Sequence, residues 1–511
     1  MNNFIVSKLF EYSRSKAGIT AIQDGKESIT YGQLWDRMWG YSEIIRRHSG
    51  GKHLPVIIYQ ERNIHFIVSM LACLSAGCFY IPVVKDTPTA RIEDIIKDSK
   101  CRLALVDEEI PNASLKQLNV LTSQCINSAV EAAQADLWGQ QGDLAYVMYT
   151  SGTTGSPKGV MIKLSNLQNL IDSFGEIIYN RVEGIVRVAV LASFGFDSSV
   201  KQIYCSLYYG HTLVIASERQ KRFSKLLQQF YVDNDIFLSD GTPSNMRILL
   251  MTKKKIKNNV KYYVIGGEIF RAEIAKAMFE AHENPIELIN VYGPTECCVD
   301  VSYYRVKKED CGEGYIPIGI PLLNTRLRIM DEMGNEVNAL GEKGELVVYG
   351  KQVGGGYTNG KNHKFTFGKE IFDNSYRTGD IAALDGKGQI VVLGRSDNQI
   401  KKYGYRIELD EISVQIKRLK SITDVAVRKK NLDGIEKIVA YYISEQTMEE
   451  EALLREIGNI IPYYMIPDFM VQIAEMPINR NGKVDENKLA ECFEGYKVQK
   501  ALMRRNSAGS E

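Results

Sequence analysis

Residues 149–160 read Tyr149-Thr150-Ser151-Gly152-Thr153-Thr154-Gly155-Ser156-Pro157-Lys158-Gly159-Val160. An apolar run from Leu144 to Met148 precedes them and predicts a buried strand. Glycines and small hydroxyl residues at this density allow backbone N–H and side-chain O–H groups to close around an anion, to which Lys158 adds a positive charge. The segment is not a Walker A loop, because that motif ends in Gly-Lys-Ser/Thr. We therefore predict a loop that binds nucleotide phosphates, with a plain surface turn as the alternative.

The composition of the chain restricts its class. Of its 511 residues, 44% are hydrophobic and 24% are charged, with a formal net charge of +1. This length predicts several domains, or one large and one smaller domain, and the near-neutral charge argues against nucleic acid as a partner. Nine cysteines without Cys-x-x-Cys spacing indicate a reducing, cytoplasmic compartment. The first residues lack the features of a signal peptide and no apolar run approaches the ~20 residues that cross a bilayer, so we expect no membrane segment.

The pattern of apolar residues changes along the chain. Up to about residue 390, short apolar runs such as Val56–Tyr59 and Tyr262–Ile265 alternate with amphipathic stretches such as Tyr31–His48, which is typical of α/β layers. Between residues 316 and 393 the pattern becomes β-rich, with frequent Gly and Asn/Asp turns. A smaller segment that mixes helices and strands follows Asp397, and the polar tail after Tyr496 is expected to be loose.

Further motifs occur in a fixed order along the chain. They are Gly266-Gly267-Glu268, Asn290-Val291-Tyr292-Gly293-Pro294-Thr295-Glu296, Tyr376-Arg377-Thr378-Gly379-Asp380 and Asn479-Arg480-Asn481-Gly482-Lys483. Each fragment alone is a weak signal, but their joint occurrence is a strong one. Together with the glycine-rich loop they resemble the adenylate-forming enzymes, a superfamily that includes acyl-CoA synthetases and luciferases. The resemblance is strongest to the amino-acid adenylation domains of nonribosomal peptide synthetases.

The resemblance implies an α/β fold in two parts. The larger part, residues 1–396, would be an adenylation core of layered sheets and helices with a β-barrel-like subdomain, and it would bind ATP and the amino acid. The smaller part, residues 397–511, would be a mobile α+β domain that carries the catalytic lysine. Asp397, at the junction, is implied to be the hinge between them, with an ordinary linker residue as the alternative.

The resemblance also implies a nucleotide site, and ATP and Mg²⁺ as its cofactors. The residues implied to bind the nucleotide are Thr150, Ser151, Gly152, Thr153, Thr154, Gly155, Lys158, Gly267, Glu268, Asn290, Tyr292, Gly293, Asp380 and Arg395. Tyr292 offers a flat face to the adenine, whereas Asp380 and Arg395 are implied to reach the ribose from its two sides. Thr295 supplies a hydroxyl for a phosphate, and Glu296 supplies a hard oxygen ligand for Mg²⁺.

Lys483 is the lysine that the resemblance implies to be catalytic, together with Thr295 and Glu296. Asn481-Gly482 is a turn signal, so Lys483 is expected on an exposed loop that can enter a cleft. In the resembling enzymes this lysine bridges the attacking carboxylate and the ribose or α-phosphate. The reaction needs such a cation because it brings two anions together and develops charge at phosphorus.

Phe196-Asp197-Ser198-Ser199 distinguishes branches of the superfamily. In amino-acid-activating members an aspartate here pairs with the substrate α-ammonium; the alternative for Asp197 is a plain helix N-cap. The residues implied to bind the amino acid are Asp197, Ser198, Lys201, Asp240, Val264, Gly266, Val291, Val299 and Asp300, completed by Lys483. This set resembles glutamate-activating domains and departs from them at Ser198, where Ala is usual, and at Val264, where Leu is usual.

Lys201 carries the prediction of glutamate. It lies one helical turn after Asp197, faces the same cleft and can pair with a side-chain carboxylate of the substrate. Asp240 and Asp300 could hold the Lys201 ammonium, or one of them could be protonated, because several dry acids around one lysine are costly. Glutamine remains an alternative. A basic amino acid is another, since two acids would attract it although Lys201 would repel it.

The resemblance further implies transfer of the aminoacyl group to the phosphopantetheine thiol of a carrier protein, and some members of the family need a small helper protein. Gly404-Tyr405-Arg406 would line the thiol tunnel, but Lys402-Tyr403 replaces the usual apolar residue and arginine, which leaves the carrier contacts open. Three rival functions remain. A D-alanine–carrier ligase would have little use for Lys201, and a CoA ligase would have none for Asp197. A non-enzymatic nucleotide-binding module is expected to have lost Lys483, Glu296 or Asp380.

Overall fold

A computed structural model of the chain describes residues 3–107, 115, 118–122, 143–151, 157–252, 255–397, 399–402, 405–432, 435–444, 449–478 and 484–508. The chain divides into two compact units. The large unit comprises residues 1–85, 92–150 and 158–396, and the small unit comprises residues 86–91, 151–157 and 397–511. The main break in the chain therefore falls between Ser396 and Asp397, while two short segments from earlier in the sequence group with the small unit.

Helices and strands alternate through most of the large unit. The helices of the described residues are α1 (Phe4–Ser15), α2 (Tyr31–Ser49), α3 (Ile64–Ser75), α4 (Thr89–Ser99), α5 (Leu164–Ile177), α6 (Ser198–Tyr208), α7 (Glu218–Arg222), α8 (Ser224–Asp233), α9 (Pro243–Leu250), α10 (Ala272–Ala281), α11 (Leu409–Ile416), α12 (Glu450–Gly458) and α13 (Glu486–Ala508). The first strands are β1 (Thr20–Gln23), β2 (Ser28–Thr30), β3 (Pro55–Tyr59), β4 (Phe79–Pro82), β5 (Leu103–Val106), β6 (Asn119–Thr122), β7 (Leu144–Thr150), β8 (Lys158–Lys163), β9 (Arg187–Val190), β10 (Thr212–Ile215), β11 (Ile236–Gly241), β12 (Tyr262–Ile265) and β13 (Glu287–Tyr292). The remaining strands are β14 (Ser302–Val306), β15 (Ile320–Pro321), β16 (Thr325–Met330), β17 (Lys343–Gly350), β18 (Phe365–Thr366), β19 (Ser375–Leu384), β20 (Ile390–Arg395), β21 (Gln399–Lys402), β22 (Tyr405–Glu408), β23 (Asp424–Leu432), β24 (Ile435–Ile443) and β25 (Phe469–Gln472).

Local signals explain where these elements begin and end. In α2, the Thr30 side chain accepts from the Gln33 N–H while Gln33 bonds back to Thr30, which is a capping box, and Gly50 ends the helix at a φ of 62°. Every residue of α3 except His65 is buried, so this helix lies within the core rather than at its surface. The short apolar runs Val56–Tyr59 and Tyr262–Ile265, which the sequence predicts as strands, are buried within strands β3 and β12.

Two sheets with mostly parallel strands form the core of the large unit. One has six strands in the order β6-β5-β3-β4-β7-β8, and the other has nine in the order β15-β14-β13-β12-β11-β9-β10-β1-β2. Strands β11, β12 and β13 pair in parallel, with Asp240 opposite Val264 and Ile265 opposite Asn290. Ligands of open α/β sheets bind beyond the carboxyl ends of parallel strands. This pairing therefore brings the ends of three motif-bearing strands to one edge.

The β-rich region is an antiparallel sheet of five strands. Its order is β16-β17-β19-β18, and β20 pairs with residues 380–384 of β19. In that pairing Asp380 lies opposite Arg395, so two residues of separate motifs become neighbours through backbone register alone. The mixed α/β architecture that the sequence predicts is confirmed by these sheets and helices.

The small unit contains a β21–β22 hairpin and the sheet β23-β24-β25. Its apolar core joins Ile407, Ile412, Val427, Ile438 and Leu453. The expectation of a loose tail after Tyr496 was wrong, because helix α13 continues to Ala508. Residues 497–505 consist mainly of Lys, Gln, Ala, Leu, Met and Arg, which are strong helix formers even in polar segments. Within the described residues, no helix has the length and apolar character that a membrane span needs.

Candidate active site

A buried cluster of one lysine and two aspartates lies between helix α6 and the ends of the nine-stranded sheet. The Lys201 Nζ atom is 3.0 Å from Asp240 Oδ2 and 2.7 Å from Asp300 Oδ2. Lys201 is 3% exposed, and the two aspartates are 5% and 4% exposed. The Lys201 ammonium also lies 5.0 Å from the centre of the Phe174 ring. Lys201 is thus held by two carboxylates and one aromatic face.

Burial and charge act in opposite directions on this cluster. Burial alone would lower the pKa of the Lys201 ammonium, but the charges of Asp240 and Asp300 outweigh it and raise the pKa above its usual value. Burial raises the pKa of the Asp240 carboxyl to about 6, although Lys201 opposes the shift. At neutral pH the lysine is therefore charged, and the raised pKa brings the ionisation of the Asp240 carboxyl close to neutral pH.

Asp197 lies at the N-cap position of α6, but its side chain makes no capping hydrogen bond. Burial raises the pKa of its carboxyl to about 6, while a hydrogen bond with the Thr295 hydroxyl opposes the shift. Capping of the helix therefore does not account for the position of this carboxylate. The structure joins it through Thr295 to the segment that carries Glu296.

The other predicted pocket residues lie on helix α6, on or just after strands β12 and β13, and in the turn that carries Asp300. Val264, Val291 and Val299 are buried on β12, on β13 and in the turn after it, and Ser198 begins α6. Gly266 lies so close to β13 that an added Cβ would meet Val291 Cγ2 at 2.6 Å and the Val291 carbonyl oxygen at 2.9 Å. A side chain at Gly266 would therefore close the approach to the end of β13.

The turn from Cys298 to Asp300 has an unusual backbone. Cys298 and Val299 have φ values of 51° and 74°, which lie in the left-handed region although neither residue is glycine. Valine is a particular outlier there because its side chain branches at Cβ. Such a conformation costs about 1–3 kcal/mol per residue and persists only where the surroundings impose it.

A second group of motif residues lies at the ends of β13 and β20 and in the middle of β19. The Tyr292 hydroxyl donates to Asp380 Oδ2, and Arg395 Nη1 lies 2.7 Å from Asp380 Oδ1. Arg395 Nη2 also donates to the carbonyl oxygen of Thr378 at 3.2 Å. The Asp380 carboxylate is 3% exposed and is held from both sides. A fixed carboxylate of this kind is suited to accept hydrogen bonds from a pair of hydroxyls.

Glu296 lies four residues after Tyr292 in the chain and is completely buried. The Tyr357 hydroxyl donates to its Oε1 atom at 2.6 Å, and the Gly354 N–H donates to its backbone carbonyl at 2.9 Å. The Ser244 hydroxyl, on helix α9, donates to both carboxylate oxygens of Glu268, which lies beyond the end of β12. The Asn290 side-chain amide donates to the Pro317 carbonyl oxygen at 2.7 Å. Of the two predicted glycines, Gly267 precedes Glu268 and Gly293 follows Tyr292 in the chain.

The glycine-rich loop is described only at its ends. Thr150 and Lys158 pair across the β7–β8 hairpin, and the Lys158 ammonium lies 5.0 Å from the centre of the Tyr357 ring. The Thr150 hydroxyl is buried and has no hydrogen-bond partner among the described residues. Ser151, which groups with the small unit, accepts from the Glu408 N–H at 3.0 Å. The predicted site residues Gly152, Thr153, Thr154, Gly155 and Lys483 lie outside the described residues.

Two residues at this site were missed in the sequence. Tyr357 contacts both Glu296 and the Lys158 ammonium, and the run Gly354-Gly355-Gly356 before it is a signal that could have drawn attention to it. Gln352 contacts the Cys298–Asp300 turn, and nothing in its sequence context distinguishes it.

Comparisons with known proteins agree with this geometry. Residues 9–358 match the family described as AMP-binding enzyme. The chain is 34% identical over 504 residues to bacitracin synthase 1 of Bacillus licheniformis, covering 95% of this chain but 9% of that protein. It is 30% identical over 516 residues to the D-alanine–D-alanyl carrier protein ligase of the same species, covering 95% of this chain and 99% of the ligase. A solved structure of holo-PA1221, a nonribosomal peptide synthetase protein with adenylation and carrier domains, superimposes with a TM-score of 0.81 at 24% identity, over 95% of this chain and 83% of that one.

The fold and the arrangement of the motif residues define an adenylate-forming enzyme, and the chain belongs to the AMP-binding enzyme family. Its relatives include adenylation domains of nonribosomal peptide synthetases. The chain spans 9% of the length of bacitracin synthase 1 and 13% of the length of surfactin synthase subunit 1 of Bacillus subtilis, to which it is 34% identical over 480 residues. The family uses ATP.

Proposed function

We propose that this protein activates an amino acid, with glutamate as the preferred substrate. It would form aminoacyl-AMP and pyrophosphate from ATP, and then transfer the aminoacyl group to the phosphopantetheine thiol of a carrier protein in nonribosomal peptide synthesis. The observation that carries the choice of substrate is the buried Lys201 ammonium between Asp240 and Asp300. A buried cation at the side-chain end of the pocket suits an anionic side chain.

The charges of the cluster support glutamate over a basic amino acid. Both aspartates are already engaged by Lys201, at 3.0 Å and 2.7 Å, so an incoming ammonium would face a lysine whose charge is fixed. An incoming carboxylate would be accommodated if Asp240 took up a proton. Because burial raises the pKa of Asp240 to about 6, that protonation costs little near neutral pH. The α-ammonium of the substrate would pair with Asp197.

Two alternatives keep the same chemistry. Glutamine would meet the cluster with a neutral amide, and D-alanine would follow the ligase that this chain resembles over nearly its whole length. The methyl group of D-alanine has no charged or polar atom that could interact with the Lys201–Asp240–Asp300 cluster, so the cluster would have no function in binding it. We therefore place glutamate first.

For the nucleotide, we propose that Tyr292 lies against the adenine and that Asp380 accepts from the ribose hydroxyls with Arg395 beside it. The buried Thr150 hydroxyl, which lacks a partner in the described part of the chain, is suited to a phosphate oxygen. Glycines of the loop and Lys158 would complete the phosphate site.

The residues at Glu296 fit a magnesium ion that is held largely by the nucleotide. Mg²⁺ is usually bound through one or two carboxylates together with substrate phosphates. Tyr357 fixes one oxygen of Glu296, and no group of three or more acid, histidine or cysteine ligands occurs among the described residues. We propose that Glu296 is the protein ligand of Mg²⁺, which would neutralise phosphate charge. Thr295 would hydrogen-bond a phosphate.

The proposal for the rest of the reaction rests on the motifs. Lys483 would neutralise the charge that develops when the substrate carboxylate attacks the α-phosphate. The segment from residue 397 would then move about Asp397 before thioester formation. A carrier protein is the proposed partner, with a helper protein as a further one. A cytoplasmic location is supported by eight cysteines that are free thiols in the described residues.

The test is amino-acid-dependent ATP–pyrophosphate exchange across the twenty amino acids, ornithine and D-alanine. Wild-type protein is expected to give its highest rate with glutamate. Lys201→Gln should reduce the glutamate rate at least about tenfold and move the preference towards glutamine, because an anionic side chain would lose its cation. A maximum with ornithine, lysine or D-alanine would contradict the glutamate assignment but leave adenylation standing. Absence of exchange with every amino acid would contradict amino-acid activation itself.

A further inference from the structure

The Cys298–Asp300 turn links the strained backbone described above to the charged cluster. Val299 has a φ of 74°, and the next residue, Asp300, places its carboxylate 2.7 Å from the Lys201 ammonium. The direction of the Asp300 side chain therefore depends on how the turn is held. A turn that left the left-handed region would carry Asp300 away from Lys201.

The side-chain amide of Gln352 holds this turn by two hydrogen bonds to its backbone. The Gln352 Nε2 atom donates to the carbonyl oxygen of Cys298 at 3.2 Å and to that of Asp300 at 3.1 Å. Gln352 is completely buried. Its two N–H groups thus bond the carbonyls on either side of Val299 and fix the peptides around the strained residue.

A second amide sets the orientation of the first. Asn169 Nδ2 on helix α5 donates to Gln352 Oε1 at 2.9 Å and to the Leu323 carbonyl oxygen at 2.7 Å. Asn169 Oδ1 accepts from Asn324 Nδ2 at 2.9 Å, and Asn169 is 1% exposed. Because Asn169 presents a donor to Gln352, the Gln352 oxygen must face α5 and its nitrogen must face the turn.

The segment from Gln352 to Gly354 contacts both the proposed amino-acid pocket and the proposed nucleotide site, through different residues. Gln352 bonds the turn that carries Asp300, whereas Gly354, two residues later, bonds the backbone of Glu296 at 2.9 Å. Removal of the Gln352 amide therefore affects the turn of the proposed amino-acid pocket directly, and it leaves the hydrogen bond from Gly354 to Glu296 in place.

We propose that Gln352 is a positioning residue for recognition of the substrate side chain. Oriented by Asn169, it holds the Cys298–Asp300 turn so that Asp300 meets Lys201 and Val299 forms part of the pocket wall. It acts through the turn and not by contact with the reacting atoms. The inference deepens the proposed function and rests on the assignment of Lys201 and Asp300 to the amino-acid pocket.

The test compares Gln352→Leu with wild-type protein in ATP–pyrophosphate exchange, using whichever amino acid the wild-type protein activates best. The KM for that amino acid is expected to rise about tenfold or more, and the KM for ATP to stay within about twofold. Discrimination between glutamate and glutamine should also fall. An incorrect assignment of glutamate would leave this comparison intact, because the assay follows the wild-type substrate.

Two further variants separate positioning from general stability. Asn169→Asp cannot donate to Gln352 Oε1, so it should turn the Gln352 amide and raise the amino-acid KM in the same way even if Gln352→Leu fails to fold. Asn258→Leu removes another buried amide, bonded to the Tyr263 hydroxyl at 3.2 Å, and is the control with a lowered Tm and an unchanged KM. An unchanged amino-acid KM in Asn169→Asp, or an equal rise in Asn258→Leu, would overturn the proposal.

Discussion

The carboxyl groups of Asp240 and Asp197 have similar pKa values, but they interact with different neighbouring groups. Burial raises the pKa of each carboxyl to about 6, but Asp240 faces Lys201 and Asp300, whereas Asp197 is bonded to the Thr295 hydroxyl. In the proposed complex a substrate carboxylate would lie beside Asp240 and favour its protonated form. The substrate ammonium would lie beside Asp197 and favour its ionised form. Glutamate and glutamine both bring an ammonium to Asp197, but only glutamate brings a carboxylate to Asp240. Comparison of the two ligands therefore isolates the effect at Asp240.

We predict that glutamate binding takes up a proton at Asp240. Because the bound carboxylate raises the pKa of Asp240 still further, affinity for glutamate should increase relative to glutamine as pH falls from about 8 to about 6, by several-fold overall. Titration calorimetry in two buffers of different ionisation enthalpy measures the proton uptake directly. Asp240→Asn is the control and should show no difference in slope between the two ligands. Equal pH slopes in the wild-type protein would contradict the prediction.

At the scale of elements, Lys402 on β21 explains a departure from the family pattern. Where an apolar residue is usual, Lys402 pairs with Asp468 at 2.6 Å, and its side chain is 9% exposed. Asp468 also accepts from the Ile438 N–H at 2.8 Å and pairs with Lys437 at 3.3 Å. Burial would raise the pKa of Asp468, but the hydrogen bonds from Lys402 and Ile438 outweigh it and lower the pKa. Lys402 is thus held in an ion pair within the small unit.

We predict that this ion pair behaves as a coupled unit. Lys402→Met should destabilise the small unit by about 1–2 kcal/mol, because it removes a charged hydrogen bond from a half-buried carboxylate. Lys402→Met combined with Asp468→Ala should lose less than the sum of the two single changes, since neither charge is left alone. Hydrogen exchange of β24 and β25 amides measures the loss. Additive losses would show that the two residues are independent.

The sequence predicted the elements of the large unit better than the end of the chain. Val56–Tyr59 and Tyr262–Ile265 fall within strands β3 and β12, because a buried parallel strand has no polar face to obscure the apolar run. Helix α2 was predicted within one residue of its end, since its caps are encoded locally. The helix beyond Tyr496 was missed because polarity was weighed above helix propensity.

The sequence indicated the candidate site residues that lie in recognisable motifs, but not those that are positioned by packing between distant segments. Spacing within α6 placed Lys201 with Asp197, and the structure adds the distances to Asp240 and Asp300. No local signal indicates a left-handed backbone at Cys298 and Val299, because glycine is the residue that usually marks it. Gln352 and Asn169 were missed for a similar reason, since their partners lie far away in the sequence.

At the scale of the whole molecule, the main break between the two units lies at Asp397. Its Oδ1 atom accepts from the Gln399 N–H at 3.3 Å, so its side chain shapes the start of the small unit. If Asp397 is the hinge of the proposed reaction, its backbone must adopt different φ and ψ values in the two half-reactions. Proline would restrict that change, because its ring fixes φ near about −65°.

We therefore predict that Asp397→Pro affects the two half-reactions unequally. Pyrophosphate exchange and transfer to the carrier thiol should differ by about tenfold or more in their loss of rate, because each needs its own arrangement of the hinge. Asp397→Ala removes the side chain but keeps the backbone free, so both rates should stay within a few-fold of wild type. Parallel assays of exchange and carrier loading make the comparison. Equal losses in Asp397→Pro would argue against a hinge at this residue.

The pairing of Lys201 with Asp240 and Asp300 also bears on how such a pocket can change in evolution. Replacement of Lys201 alone leaves two buried acids without their cation, and replacement of one acid alone alters the charge balance around a buried lysine. Loss of one partner of a buried ion pair is far more costly than exchange of the whole set for neutral residues. A lineage that moves from an anionic to a neutral substrate would therefore cross a poorly stable intermediate unless the residues changed together. Pocket redesign by single substitutions should meet the same barrier.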